Sequence, residues 1–61
     1  MEKLWRISLP YATFGIVERG GFVTEAAPIV GWAIGKRINY VLNYYRRKGA
    51  EVVEVPLVSA N

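Results

Sequence analysis

The sequence contains no cysteine, no histidine, no aspartate and no glutamine. Without cysteine the chain can form neither disulfides nor thiolate metal sites. Without histidine it has no side chain whose ordinary pKa suits a general base near neutral pH. The loss of oxidation-prone and deamidation-prone residues beside plentiful Glu, Lys and Arg is typical of heat-adapted proteins. This pattern indicates a thermophilic source, although three asparagines count against it.

Long hydrophobic runs are also missing. No stretch approaches the roughly 18 apolar residues that a membrane span needs, so we expect no membrane insertion. Glu2, Lys3 and Arg6 interrupt the start of the chain, where a signal peptide needs an apolar core. We therefore expect an intracellular, cytoplasmic protein.

The chain has 61 residues, which is enough for one domain spanning 1–61. We expect an ordered core at about 4–56 and a frayed tail at 57–61. A domain this small buries only about 60% of its unfolded surface, so it usually needs disulfides, a metal or a partner chain. Disulfides are excluded, and the composition is 52% hydrophobic. The remaining routes to stability are self-association and an unusually apolar core.

Alternating apolar and polar residues predict β-strands. The predicted strands are Leu4–Leu9, Tyr11–Glu18, Phe22–Glu25 and Ala50–Val55. Gly20 and Gly21 predict a tight hairpin between the second and third strands, because glycine tolerates positive φ. Pro10 marks the preceding turn.

A helical period follows the third strand. Pro28–Ile34 is apolar and is expected to form a turn or two of helix, with Gly35 interrupting or bending it. From Lys36 onward the apolar stripe predicts a regular helix that ends at Gly49. The stripe consists of Ile34, Ile38, Val41, Leu42 and Tyr45.

These elements predict an α+β fold of order β-β-β-α-β, with a mostly antiparallel sheet and one helix on one face. Both faces of the sheet carry apolar residues. On the first strand Trp5 and Ile7 lie opposite Leu4, and on the second Ile16 lies opposite Val17. A single helix cannot cover both faces, so we expect a homodimer. The alternative is that tyrosine, threonine and arginine side chains make the outer face polar enough to remain exposed to water.

The stretch from Gly31 to Arg37 invites comparison with a phosphate-binding loop, and the comparison fails. The spacing is one residue short, Arg37 stands at the hydroxyl position, and the chain has no aspartate for a magnesium site. We interpret Gly31 and Gly35 instead as small residues one helical turn apart that allow close packing, with Trp32 as an anchor beside them.

Residues suited to catalysis are few. The serines and threonines have no histidine beside them to act as a base. Glu25 follows a predicted strand and precedes an apolar segment, so a partly buried acid–base role is conceivable, but such glutamates more often form ion pairs. Five scattered glutamates make a metal site improbable. We expect a non-enzyme with no cofactor, no metal and no small-molecule substrate.

The predicted helix carries the strongest functional signal. Between Ala26 and Ala50 there are five cations and no acidic residue. The helical period predicts one face opposite the apolar stripe that carries Lys36, Tyr40, Asn43, Tyr44 and Arg47. The candidate nucleic-acid-binding residues are Lys36, Arg37, Tyr40, Tyr44, Arg46, Arg47 and Lys48. The cations would meet phosphates of DNA or RNA, the tyrosines would stack on bases, and Asn43 could bond to a base edge. A sequence pI of about 9.6 agrees with this hypothesis.

A simpler interpretation explains part of this pattern. Arg46, Arg47 and Lys48 fall in the last turn, where the helix dipole favours cations. The net charge is only +3, and tyrosines often lie on a surface with wet hydroxyls. Under a second hypothesis, the protein acts through another protein, which would contact the Trp32 segment or the outer sheet face.

Four short strings carry a resemblance that covers Leu4 to about Val55. They are Pro10-Tyr-Ala-Thr-Phe-Gly15, Glu25-Ala-Ala-Pro-Ile29, Trp32-x-x-Gly35-Lys36 and Arg47-Lys-Gly49. Together they resemble short uncharacterised proteins encoded by phages, archaeal viruses and integrated elements. The resemblance implies an accessory viral or mobile-element protein in the host cytoplasm, and it marks Pro28, Trp32 and Lys36 as worth testing. The chain is not similar to the common nucleic-acid-binding modules.

Overall fold

Four antiparallel strands form one sheet in the computed structural model, which describes residues 2–56. The strands are β1 (Glu2–Leu9), β2 (Ala12–Arg19), β3 (Phe22–Ala26) and β4 (Glu51–Val55), in the spatial order β3-β2-β1-β4. The predicted α+β fold class is confirmed, and each predicted strand boundary lies within two residues of the observed one. The expectation of a frayed tail at 57–61 lies outside the described residues.

Two short turns join the first three strands. Gly20 and Gly21 have φ values of 63° and 91°, which is the backbone of a two-residue type I′ hairpin. Leu9 pairs with Ala12 across the other turn, so Pro10 and Tyr11 form its tip. The prediction that Tyr11 begins β2 is therefore wrong: Tyr11 lies in the turn, and its side chain is 79% exposed.

A 3-10 segment, Pro28–Ala33, connects β3 to the main helix. Pro28 stands at its start as predicted, and Val30 interrupts the helical geometry at φ −121° and ψ 25°. Gly35 follows with φ 88°, a value that reverses the chain and is strained for other residues. An added Cβ at Gly31 or Gly35 would meet nothing within 4 Å, so the predicted close packing at these glycines is wrong.

The main helix α1 spans Ile38–Arg47, so it begins two residues later than predicted. The backbone before it is held by the β2–β3 hairpin: Gly35 N–H donates to Val23, Val23 N–H donates to Lys36, and Ile38 N–H donates to Gly21. Because the Lys36 carbonyl accepts from Val23, it is not part of the helical ladder. Ile34 lies before this segment and is 49% exposed, so it does not belong to the buried stripe.

The end of α1 is a Schellman motif. Gly49 has φ 85°, Gly49 N–H donates to the Arg46 carbonyl, and Ala50 N–H donates to the Tyr45 carbonyl. This arrangement satisfies carbonyls that the helix leaves free and turns the chain directly into β4. The predicted helix stop at Gly49 is confirmed.

The core lies between α1, the 3-10 segment and one face of the sheet. It consists of Ile7, Phe14, Ile16, Val23, Val30, Ala33, Ile38, Val41, Leu42 and Tyr45. The Tyr45 ring packs edge-on against Phe14, with ring centroids 5.2 Å apart. Ile7 and Ile16 are completely buried, so this face, which we call the covered face, is closed by the chain itself.

Within residues 2–56, no helix covers the other side of the sheet, which we call the open face. Strand pairing places Leu4 between Val17 and Val55 on this side, and Val53 beside Arg6. Leu4, Val17, Val53 and Val55 are each only half-buried. Among residues 2–56, no helix is long and apolar enough to cross a membrane.

Candidate nucleic-acid interface

Five cationic side chains lie at the two ends of α1. Lys36 and Arg37 precede its first residue, and Arg46, Arg47 and Lys48 occupy its last turn and C-cap. All five are exposed. Ten residues at about 1.5 Å each separate the two groups by about 15 Å along the axis. The positive charge is therefore arranged as two clusters with the helix surface between them.

The helix dipole accounts for only one of these clusters. Cations at the C-terminal end are favoured by about 0.3–1 kcal/mol each, which explains Arg46, Arg47 and Lys48 without any ligand. The same effect disfavours cations at the N-terminal end, where Lys36 and Arg37 lie and where the first turn has no acidic residue. Local helix stability therefore does not explain the N-terminal cluster.

The carboxylates of the described chain are located on the sheet. They are Glu2, Glu18, Glu25, Glu51 and Glu54. The only salt bridge within residues 2–56 joins Arg19 to Glu2, with 3.0 Å between Nη2 and Oε2. Within that part of the chain, none of the five cations at α1 is paired with a carboxylate. Their charges are open to an external anion.

The exposed side of α1 carries rings between the two charged clusters. Tyr40, Asn43, Tyr44 and Arg47 recur at helical spacing and line an open pocket of about 110 Å³. Tyr40 is 60% exposed and Tyr44 is 38% exposed. The predicted grouping of these four residues on one face is confirmed. Lys36, predicted to share that face as part of the helix, lies in the preceding segment instead.

Trp32 lies against the same surface, a placement that the sequence did not predict. Its ring centroid is 5.0 Å from that of Tyr44 and 6.1 Å from that of Tyr45. It is 42% exposed. We predicted Trp32 as a separate protein-interaction residue; the structure joins it to the tyrosines of α1. Sequence spacing gave no signal for this contact, because it depends on the path of the 3-10 segment.

Two of the cations lie over aromatic rings. The Arg37 guanidinium carbon is 5.4 Å from the centroid of Phe22, and Lys48 Nζ is 5.0 Å from that of Tyr44. Such contacts are worth about 0.5–1 kcal/mol at exposed sites, so they orient the side chains without neutralising them. The free N–H donors of both groups remain available to an anion.

Possible catalytic and metal-binding groups are dispersed. Glu25 is exposed, so the partial burial considered for it is wrong. Within residues 2–56, no cluster of three or more metal-ligating side chains lies close enough to hold an ion. The pocket on α1 is much smaller than the about 300–1,000 Å³ of a typical small-molecule site. The arrangement at α1 is suited to lying against an extended anionic partner.

No protein-family model, curated protein or solved structure matches the chain.

Proposed function

We propose that the protein is a non-enzymatic binding protein that contacts the phosphate backbone of a nucleic acid through α1 and its flanking residues. The observation that carries this proposal is the N-terminal cluster: Lys36 and Arg37 are exposed, lack carboxylate partners within residues 2–56, and lie where the dipole disfavours them. A charge arrangement that opposes local stability is expected where an external anion compensates for it.

The contacts would divide into two kinds. Lys36, Arg37, Arg46, Arg47 and Lys48 would neutralise phosphates and release counterions. The rings between them would contact bases or sugars. The two cationic clusters are about 15 Å apart, which corresponds to about four nucleotide steps at 3.4 Å per step. The interface is therefore small, and its affinity should depend mainly on charge.

The test is a titration of a labelled oligonucleotide at several salt concentrations, starting at about 50 mM. If all five cations contact phosphates, the logarithm of affinity should fall against the logarithm of salt with a slope of about −3.5 for a single strand or −4.5 for a duplex. The variant Lys36→Glu/Arg47→Glu should lose binding. Absence of measurable binding of DNA and RNA at low salt would refute the proposal.

A matched control separates a specific surface from bulk charge. Lys3→Glu lowers the net charge by the same two units as the single variant Lys36→Glu, but it changes a residue of β1 that lies away from α1 and outside the open face. This control should retain binding with a similar salt slope, apart from a modest long-range loss. Equal losses in Lys3→Glu and Lys36→Glu would show that binding reflects net charge alone.

Self-association through the open face is a second proposal, and it adds to the first. The observation that favours it is the apolar set Leu4, Val17, Val53 and Val55, which the chain leaves half-exposed. Apart from the Arg19–Glu2 pair, this face carries Arg6, Glu25 and Glu51. A two-fold arrangement can bring Arg6 of each copy to a glutamate of the other, so a second copy is a suitable partner.

The size of the open face limits how tight this dimer can be. Four strands about 4.8 Å apart and five to eight residues long give a projected area of roughly 300–500 Å². A standard interface buries about 800 Å² of accessible surface per partner, so this face is below the standard size and we expect a weak dimer. A dimer would also double the number of basic surfaces on the particle.

Sedimentation equilibrium over a range of concentrations tests the dimer. The wild-type protein should pass from monomer to dimer, whereas Val17→Lys, at the centre of the open face, should remain monomeric. Tyr11→Lys is the control, because Tyr11 is exposed in the β1–β2 turn at the end of the sheet. A wild-type protein that stays monomeric at millimolar concentration would refute the proposal.

A further inference from the structure

We propose that the nucleic acid recognised at α1 is single-stranded, and that its unpaired bases stack on a platform formed by Trp32, Tyr40 and Tyr44. This inference rests on the proposed function and specifies its substrate class. The joining of Trp32 to the tyrosines of α1 carries it. The three residues constitute what we call the aromatic platform.

The aromatic platform rests on a buried ring. Tyr45 is 6% exposed, packs edge-on against Phe14, and has the Tyr44 ring centroid 5.0 Å away and that of Trp32 at 6.1 Å. These contacts hold Trp32 and Tyr44 in place before any ligand arrives. These two rings of the platform therefore lose little side-chain entropy when a base stacks on them.

The exposed part of the platform is larger than the core requires. Tyr45 closes the core at this position, yet Trp32 remains 42% and Tyr40 60% exposed. Within residues 2–56, the Tyr40 ring has no aromatic partner, and its hydroxyl makes no hydrogen bond to another residue. Because Tyr40 is also 60% exposed, much of its surface is available to a flat ligand.

Polar groups that suit a nucleotide lie beside the rings. The pocket between Tyr40 and Tyr44 is also lined by Asn43 and Arg47. The Asn43 amide can both donate and accept a hydrogen bond at a base edge, and the Arg47 guanidinium can bind the adjoining phosphate. Lys48, held over Tyr44, supplies a second cation next to the stacked base.

The exposed rings favour a single strand over a duplex. In a duplex the base faces are already stacked on one another, so aromatic side chains reach them only if the duplex is distorted. In a single strand every base presents a free face, and stacking on an aromatic side chain is tolerant of sequence. The cations alone would bind either form, and only the rings distinguish them.

Three oligonucleotides of equal length distinguish the contributions: single-stranded oligothymidine, the same strand with abasic sites, and a duplex. Stacking on the platform predicts that oligothymidine binds most tightly at equal salt, since the abasic strand keeps the phosphates and loses the bases. Removing one stacking side chain should weaken oligothymidine binding by about 5- to 140-fold. Binding of the abasic strand should change little.

Tyr40→Ala is the primary variant, because Tyr40 is exposed and lies outside the core cluster. Trp32→Ala extends the test, with Trp32→Phe as the conservative variant that should retain most of the binding. Trp5→Phe leaves Trp32 as the only tryptophan, so its fluorescence reports directly on the platform. Oligothymidine should quench this fluorescence, and the abasic strand should not.

The outcomes for the two proposals differ. Equal affinity for all three oligonucleotides, unchanged in Tyr40→Ala and Trp32→Ala, would overturn the stacking inference and leave the phosphate-binding proposal intact. Tighter binding of the duplex than of oligothymidine would also overturn it. Failure of these oligonucleotides, and of the corresponding RNA strands, to bind at low salt would overturn the proposed function itself.

Discussion

The two faces of the sheet are built from alternate residues of the same strands and have different environments. Ile16 is completely buried beneath α1, whereas Val17, the next residue of β2, lies half-exposed on the open face. Both are β-branched and apolar, so strand propensity does not distinguish them. What differs is the presence of the helix.

Because of this difference, the covered face determines the stability of the domain, and the open face is the surface available for association. The chain itself buries the covered face. The ten core residues, which lie on this face, on α1 and on the 3-10 segment, supply most of the apolar free energy of folding. The open face contributes little to the stability of the isolated chain, because water still reaches its side chains. Its apolar residues become useful when a second copy excludes that water. The comparison can be tested with pairs of substitutions, one on each face.

Ile16→Ala and Val17→Ala should give the largest contrast. Removing the buried Ile16 side chain should lower the free energy of unfolding by about 2–5 kcal/mol, through lost burial and the cavity left behind. Val17→Ala should cost less than about 1 kcal/mol in dilute protein, since it weakens mainly the cross-strand contact with Leu4. Urea denaturation monitored by tryptophan fluorescence measures both changes.

Ile16→Val controls for a total loss of structure. The domain is expected to have only about 3–9 kcal/mol of stability, so Ile16→Ala could unfold it completely. The smaller change should cost about 0.5–1.5 kcal/mol and leave a measurable transition. Similar losses in Val17→Ala and Ile16→Ala at low concentration would contradict the assignment of the two faces.

The period-2 pattern of the sequence predicted this division of the strands correctly, because side-chain alternation follows directly from strand geometry. It could not predict the start of α1. Lys36 and Ile34 fit the helical period, yet Gly35 reverses the chain and the Lys36 carbonyl accepts a hydrogen bond from Val23. Tertiary hydrogen bonds to the β2–β3 hairpin override a local pattern that has no information about them.

The candidate site was predictable to a similar extent. Tyr40, Asn43, Tyr44 and Arg47 share a face because they follow the helical period, and the sequence alone indicates this. The position of Trp32 was not predictable, since a 3-10 segment with a break at Val30 separates it from α1. Trp32, predicted to contact a protein partner, therefore lies in the same surface as Tyr44 of α1.

Substitutions that enlarge a side chain should also distinguish the two faces, with effects of intermediate size on the free energy of unfolding. Ala33 is completely buried in the core, so Ala33→Val should overpack it and cost about 1–3 kcal/mol. Gly15 lies on the open face, and a Cβ there would meet Leu4 Cδ1 at an ordinary 3.4 Å. Gly15→Ala should therefore stabilise the domain by about 0.4–1 kcal/mol, because it restricts the unfolded chain. Thermal and urea unfolding measure whether each variant is more or less stable than the wild type.

Ala33→Val should lower the free energy of unfolding and Gly15→Ala should raise it, and this difference in sign is what the experiment tests. The φ angle of Gly15 is not positive, so alanine fits its backbone without strain. A clear destabilisation by Gly15→Ala would mean that the open face is packed more tightly than the structure shows. A neutral Ala33→Val would mean that the covered face has unfilled space.

The smallest contrast concerns two glutamates. Glu18 lies at the margin of the covered face, where its Oε1 accepts a hydrogen bond of 2.9 Å from Trp5 Nε1. Glu18→Ala should cost about 0.5–1.5 kcal/mol, because the half-buried indole N–H loses its partner. Glu25→Ala, on the open face, should stay within about 0.5 kcal/mol of the wild type. Glu18→Gln keeps an acceptor and should recover most of the loss. If Glu18→Ala and Glu25→Ala have equal effects in urea denaturation, water replaces the Glu18 acceptor without cost, and the margin of the covered face behaves like the open face.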